Sequence, residues 1–335
     1  MKNIKVLVMA PMKKFPLVLR FIFTAVLLFS SGAFAAMSDE DFLMLCRNGT
    51  VREVEQAIQA GANVNAAGRT GWTALHNAAM GNEAPGVLTV LLENGANIDA
   101  ANDNGDTALA FAALHGKPMH VQVLMDAGAN VGDNEFLRLC RMGTAEAVER
   151  AIRNGANMNA VSKTHEGSTA LHYAVWQNPD HGVLTLLIEN GTLNIDVTDD
   201  DGNTPLMIAA AQYTKKDDII RALIKEGANV NTAANDGRTP LMFAAYGNSN
   251  TDHLTVLIEE GADVNAADND GRTPLMWAAL NDDATPDFFM VLIEAGADIS
   301  AKNNSGKTAY DIRADEYSDM GQEIQNLLQV DYDKE

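Results

Sequence analysis

A chain of 335 residues, 47% hydrophobic and 21% charged, is long enough to bury a core and too balanced to be disordered or to fill a membrane. Its formal net charge of −21 excludes holding a phosphate backbone by counterion release, so nucleic acid and anionic membrane surfaces are poor partners. A basic protein matches the charge better, although an acidic surface serving only solubility accounts for it equally well.

In chain order, the first element is a targeting segment over residues 1–35. Lys13, Lys14 and Arg20 form a positive region, Phe21 to Phe29 a short apolar one, and Ala33-Phe34-Ala35 the small-x-small pattern that precedes cleavage. Cleavage is expected before Ala36, which implies a periplasmic or secreted protein. The apolar run between Arg20 and Met37 has 16 residues, short of the roughly 20 that a spanning helix needs, so no membrane span is expected after cleavage. Met12 as the start would give a tidier leader. The segment holds five basic and no acidic residues, so its removal takes the formal charge to −26.

A repeating pattern follows. Thr73-Ala74-Leu75, Thr107-Ala108-Leu109, Thr169-Ala170-Leu171, Thr204-Pro205-Leu206, Thr239-Pro240-Leu241, Thr273-Pro274-Leu275 and Thr308-Ala309-Tyr310 are separated by 34, 62, 35, 35, 34 and 35 residues. Each threonine is expected to cap a helix, with proline at its first position in three cases. Alanine pairs such as Ala244-Ala245 let that helix approach its neighbours closely. A second helix carries an apolar stripe, as in Leu88, Leu91 and Leu92 or Leu254, Leu257 and Ile258. It ends at one of a register of glycines (Gly61, Gly95, Gly128, Gly155, Gly191, Gly227, Gly261 and Gly296), expected to be left-handed. Segments such as Asp268-Asn269-Asp270-Gly271 then make a tight turn.

These cores read Thr73-Ala-Leu-His-Asn-Ala78 and Thr169-Ala-Leu-His-Tyr-Ala174, with Met replacing His in Thr204-Pro-Leu-Met-Ile-Ala209. Over residues 38–328 the chain resembles the ankyrin-repeat family. The resemblance implies an all-α repeat solenoid of about nine helix-turn-helix units with short β-hairpin fingers. Units 1–3 are expected over residues 38–133, units 4–8 over 134–303 and a capping unit over 304–328. An acidic tail follows over 329–335.

Three features depart from the family pattern. The long periods place extra residues between the two helices of a unit, at Asn82-Glu83-Ala84-Pro85 and Asn281-Asp282-Asp283-Ala284. Only Gly132-Asp133-Asn134-Glu135 stand between Val131 and Phe136, where a finger is expected. The segments Phe42-Leu43-Met44-Leu45-Cys46-Arg47 and Phe136-Leu137-Arg138-Leu139-Cys140-Arg141 are near-copies, pointing to duplication of a three-unit block. Three units of helix packing would set Cys46 and Cys140 roughly 30 Å apart, so two buried free thiols and no disulfide are expected.

Catalytic and cofactor chemistry finds no footing. His115, His120, His165, His181 and His253 lack metal-ligand spacing, and the cysteines have no partners at zinc spacing. Asp199-Asp200-Asp201-Gly202 lacks the alternating ligands of a calcium loop. The family resemblance makes His76 and His172 structural. No enzyme, metal or cofactor is expected.

The resemblance also implies docking of a partner protein on a concave face built from finger tips and first helices. The tip residues are Trp72, Asp106, Ser168, Asn203, Arg238, Arg272 and Lys307. Residues after the small pairs include Met80, His115, Trp176, Tyr246 and Leu280. Aromatic and arginine side chains dominate binding hot spots, which singles out Trp72, His115, Trp176, Arg238, Tyr246, Arg272 and Leu280. The function implied is a monomeric periplasmic or secreted interaction scaffold. The alternative is an acidic inhibitor or immunity protein that neutralises a basic toxin or hydrolase; an exported effector is a third reading.

Overall fold

A computed structural model describes residues 37–115, 117–163, 166–190, 193–212, 217–247, 251–316 and 322–329. Residues 1–35, where a targeting segment is expected, His165, Gly191 and the tail beyond residue 329 lie outside the described residues. Eighteen helices and two isolated bridges, Ala67 with Thr73 and Val161 with Thr169, are found among the described residues. The chain is an all-α repeat solenoid made of helix pairs.

The chain divides into two compact units, one ending at Ala129 and the other beginning at Asn130. The first holds α1 (Asp39–Asn48), α2 (Val51–Gln59), α3 (Ala74–Gly81), α4 (Gly86–Glu93), α5 (Ala108–Leu114) and α6 (Pro118–Asp126). The second begins with α7 (Asp133–Met142), α8 (Ala145–Arg153), α9 (Ala170–Trp176), α10 (His181–Glu189), α11 (Pro205–Ala210) and α12 (Asp217–Lys225). It continues with α13 (Pro240–Gly247), α14 (Thr251–Glu259), α15 (Pro274–Ala279), α16 (Pro286–Glu294), α17 (Ala309–Glu316) and α18 (Gln322–Leu328). In each unit the odd-numbered first helices pack side by side in one row. The second helices lie behind them.

Burial follows the repeat register. The leucines Leu75, Leu109, Leu171, Leu206, Leu241 and Leu275 are at most 2% exposed, as are Ala112-Ala113, Ala209-Ala210, Ala244-Ala245 and Ala278-Ala279. Leucine burial stabilises by about 1.5–3 kcal/mol a side chain, and the alanines let helix backbones close on one another. In the second-helix stripes Leu88, Leu91, Leu254 and Leu257 are fully buried, whereas Leu92 and Ile258 are half-buried at the rim. The described register glycines all have φ between +85° and +101°, the left-handed helix stop.

Polar bonds tie each repeat to the next. Finger backbones are joined by Asp103 N–H donating to Thr70 O in the first unit, and by Asn235, Asn269 and Asn304 N–H donating to Asp201, Asp236 and Asp270 carbonyls in the second. The amides of Asn235, Asn269 and Asn304 add a side-chain ladder along the same fingers at 2.9–3.0 Å. At Gly237, φ is +88° and a Cβ would lie 2.7 Å from the Asn269 nitrogen, so only glycine allows this approach. In the loops that run from the second helices into the fingers, Asn65, Asn231 and Asn265 each donate to the carbonyl of the next register glycine and accept the N–H two residues beyond it.

The extra residues between paired helices have a role in this scheme. Asn82 and Asn178 reach back to the preceding repeat, donating to Cys46 O and Gly49 O and to Cys140 O and Gly143 O, respectively. Asn281 donates to Ala245 O at 3.0 Å in the same way. The near-identical segments also fold alike: α1 and α7 have ten residues each, α2 and α8 nine, and Thr50 and Thr144 cap equivalent positions. No finger precedes α7. Gly132 is its N-cap, close to the boundary between the two units.

The histidines at the third helical position close each cap in one tautomer. Thr73 N–H can only donate, so His76 Nδ1 accepts it at 3.1 Å, and the proton on Nε2 is donated to Asp106 O of the next repeat at 2.8 Å. His172 repeats this with Thr169 N–H and Asn203 O. Methionine cannot make the second bond. Met207 Sδ accepts only Thr204 N–H, at 3.3 Å, and the buried hydroxyls of Thr239 and Thr273, above Met242 and Met276, have no hydrogen-bond partner. The expected hydroxyl cap is therefore present at Thr73, Thr107 and Thr204 and missing at Thr239 and Thr273.

Two stability predictions follow from these contacts. Met242→His and Met276→His, each restoring a cap partner and an inter-repeat bond, should raise stability by about 1 kcal/mol each in urea unfolding. Burial lowers the pKa of His76, His120 and His172 below 6.5. Their contribution is thus complete above pH 6.5 and is lost as pH falls from there through the lowered folded values, because the unfolded chain takes up protons first. A His76→Met/His172→Met variant should show a flatter decline in that window; an unchanged slope would count against it.

Both cysteines are buried and unpaired. Desolvation pushes the Cys46 thiol up to about 12 and the Cys140 thiol higher still. In the native protein neither should react with a disulfide reagent at pH 8, and both should react in denaturant.

Candidate functional site

Two positions recur along the first helices near the finger side chains. Four residues after the capping threonine stand Asn77, Phe111, Tyr173, Ile208, Phe243, Trp277 and Ile312; seven after it stand Met80, Leu114, Trp176, Ala211, Tyr246 and Leu280. The two positions are three residues apart, so they share a helix face. The intervening small pair faces inward. Among these residues Trp176 is 45% exposed, Tyr246 48% and Leu114 41%; Ile208, Ala211, Phe243, Trp277 and Leu280 are half-buried, and Asn77, Phe111, Tyr173 and Ile312 are buried.

In the second unit the finger tips lean over this surface. The Arg238 guanidinium lies 4.3 Å from the Phe243 ring centre and 5.3 Å from that of Trp277; Arg272 lies 5.3 Å from Trp277 on its own repeat. Tyr246 meets Trp277 edge-on with ring centres 5.3 Å apart. Trp277 Nε1–H donates to Asp268 Oδ2 at 3.0 Å, fixing the indole. Arg238, Tyr246 and Arg272 are thus brought together around Trp277, with Leu280 next in the row.

The charge of these tips is locally cancelled. Arg238 pairs with Asp236 at 2.5 Å and Arg272 with Asp270 at 3.1 Å, each within its own finger. Such exposed pairs contribute about 0–1 kcal/mol, but they leave no net positive charge at the tips. The finger before them carries Asp199, Asp200 and Asp201 with no ion pair among the described residues. Trp176 stands apart from the Trp277 cluster, in contact with Arg141 at 5.7 Å from its ring centre.

The first unit has its own cluster. Trp72 is half-buried and packs on Phe111 of the following repeat with ring centres 4.5 Å apart, and His76 meets both rings. That packing gives Trp72 a folding role. His115 is exposed, but its Nδ1 bonds the Phe111 carbonyl of its own helix at 2.9 Å. An open groove of about 490 Å³ beside Trp72 is lined by Leu43, Met44, Arg47 and Met80.

Sequence reasoning passed over Phe243 and Trp277, on which the tip arginines lie. An aromatic recurring four residues after the threonine, at Phe111, Tyr173, Phe243 and Trp277, was the signal available. Among the described residues no three His, Cys, Asp or Glu side chains could hold a metal ion, and no helix is long and apolar enough to cross a membrane.

A family model for ankyrin repeats matches three successive stretches, residues 42–135, 136–234 and 209–303. Among curated proteins, the human SH3 and multiple ankyrin repeat domains protein 2 is 32% identical over 164 residues, covering 47% of this chain and 9% of its own length. The chicken nuclear factor NF-kappa-B p105 subunit is 29% identical over 170 residues, which is 50% of this chain and 14% of that protein. An ankyrin repeat protein of Fowlpox virus is 32% identical over 117 residues, 32% of this chain and 33% of its own length. The chain therefore spans a third or less of each of these relatives. Threonine caps, alanine pairs, left-handed glycine stops and stacked fingers, matched by the family model over most of the sequence, place the chain in the ankyrin-repeat family.

Proposed function

We propose that this protein is an exported, non-catalytic scaffold of bacterial type that binds a partner protein on the first-helix face of its second unit. Ankyrin repeats serve as protein–protein interaction scaffolds, which supports binding as the activity. The observation that carries the choice of face is the exposure of Trp176 and Tyr246, at 45% and 48%. Large aromatic rings left in water are costly unless something covers them, and buried aromatics dominate hot spots. Trp72 and His115, in the first unit, have contacts within the fold and are assigned a secondary part.

Export rests on the positive region, apolar run and Ala33-Phe34-Ala35 pattern of the leader. A basic partner is favoured by the charge of −21 and by the exposed Asp200 and Asp201, which have no ion pair among the described residues. The same observation supports the narrower reading of an inhibitor or immunity protein that neutralises a basic toxin or hydrolase. That reading requires association to slow strongly with added salt.

Combined replacement of Trp176, Tyr246 and Arg272 by alanine should abolish capture of the native partner while lowering the melting temperature only slightly. Capture at wild-type level by a folded triple variant would defeat the assignment of this face. Expression of the full chain should yield a mature protein beginning at Ala36 in the periplasm or medium, checked by N-terminal sequencing. A cytoplasmic product retaining its first residues would overturn export.

A further inference from the structure

Between its two exposed aromatics the second unit carries a small side chain in the same register. Three adjacent first helices, α9, α11 and α13, pack side by side, and their outward positions carry Trp176, Ala211 and Tyr246 in turn. Ala211 is the smallest residue in that row, and Ile208 beside it is half-buried. Two helix spacings of about 8–10 Å separate α9 from α13, so the surface over Ala211 is wide enough for a helix or an extended segment. Its flanking rings are held in advance: Trp176 by Arg141 on one side, Tyr246 by Trp277 on the other. Side chains already fixed lose little freedom on binding.

The finger that leads into α11, at the end of that helix opposite Ala211, differs from its neighbours in charge. The following fingers cancel their carboxylates with Arg238 and Arg272. Here the tip residue is Asn203, whose amide donates to Asp199 Oδ2, and Asp199 Oδ1 accepts the N–H groups of Asp201 and Asn203. Asp199 is therefore used by the turn. Asp200 and Asp201 are exposed, with side chains that no cation offsets among the described residues.

We infer that the surface over Ile208 and Ala211 takes a basic segment of the partner protein, one bulky apolar side chain entering between Trp176 and Tyr246 while a Lys or Arg farther along the segment, past the N-terminal end of α11, meets Asp200 and Asp201. This rests on the proposed interaction face and specifies its occupant. An apolar anchor covers the exposed rings, and the cation farther along supplies the charge that this finger lacks. An acidic segment would face repulsion from both carboxylates.

The test uses a phage-displayed library of random dodecapeptides selected on the full chain, with affinities of recovered peptides measured against variants. Selected peptides should carry Lys or Arg several residues away from a Trp, Phe or Leu. Ala211→Trp, which fills the space between Trp176 and Tyr246 at a half-exposed position, should weaken them at least tenfold. Asp200→Asn/Asp201→Asn, a surface change that leaves the fold intact, should weaken them about fivefold and reduce their salt dependence. Peptides without basic residues, or affinities unmoved by D200N/D201N, would overturn this inference even if Trp176→Ala and Tyr246→Ala abolish binding. Peptides insensitive to W176A and Y246A would overturn the interaction face itself.

Discussion

Close approach between neighbouring first helices is the constraint on which the rest depends. A single helix pair cannot bury both its apolar stripe and its alanine face; only a neighbour on each side completes the core. The alanine pairs, excluded from water in repeat after repeat, set that spacing. Once it is set, the residue seven after the threonine is left in water at Leu114, Trp176 and Tyr246, the residue four after it ranges from buried Phe111 and Tyr173 to half-buried Phe243 and Trp277, and the finger tips fall over the following repeat. Arg238 over Trp277 and Trp72 over Phe111 are the same geometric relation in different units.

Polar bonds that fix the repeat register are distributed unevenly. The histidine repeats close their caps and reach the next finger through one imidazole, whereas the methionine repeats retain packing and leave Thr239 and Thr273 hydroxyls without partners. In compensation, the fingers of those later repeats carry the asparagine ladder through Asn235, Asn269 and Asn304, where the earlier fingers have Asp103 and Asp200. An amide can donate along the ladder and a carboxylate cannot. In the repeats that begin at Thr239 and Thr273 the polar bonds between repeats therefore lie more in the fingers than in the caps.

Charge and apolarity are arranged together on that surface. Arginines that look basic in the sequence are neutralised within their own fingers and spread over aromatic rings. At the finger that leads into α11, Asp200 and Asp201 carry negative charge that no cation offsets among the described residues. An apolar surface with an acidic margin is matched by a partner of the opposite pattern, and the match would set association rate and specificity more than affinity.

Much of the fold was legible in the sequence because each of its rules is local. Threonine before proline, glycine after a helix and aspartate before glycine act through their own backbone, so the positions of the helix starts, the left-handed stops and the absent finger before α7 could be read directly. The duplication of the segment containing Cys46 in that containing Cys140 was equally visible, and both thiols are buried and free. The candidate surface was legible only in part. Trp176, Tyr246, Arg238 and Arg272 were identifiable from register, but Phe243 and Trp277 sit mid-helix in an apolar run where an aromatic looks like core. Which face of a short helix meets water, and whether Trp72 packs or projects, depends on the neighbouring repeat lying about 10 Å away. Sequence fixes what each residue can do within its own turn of chain; stacking between repeats decides which residues remain for a partner to touch.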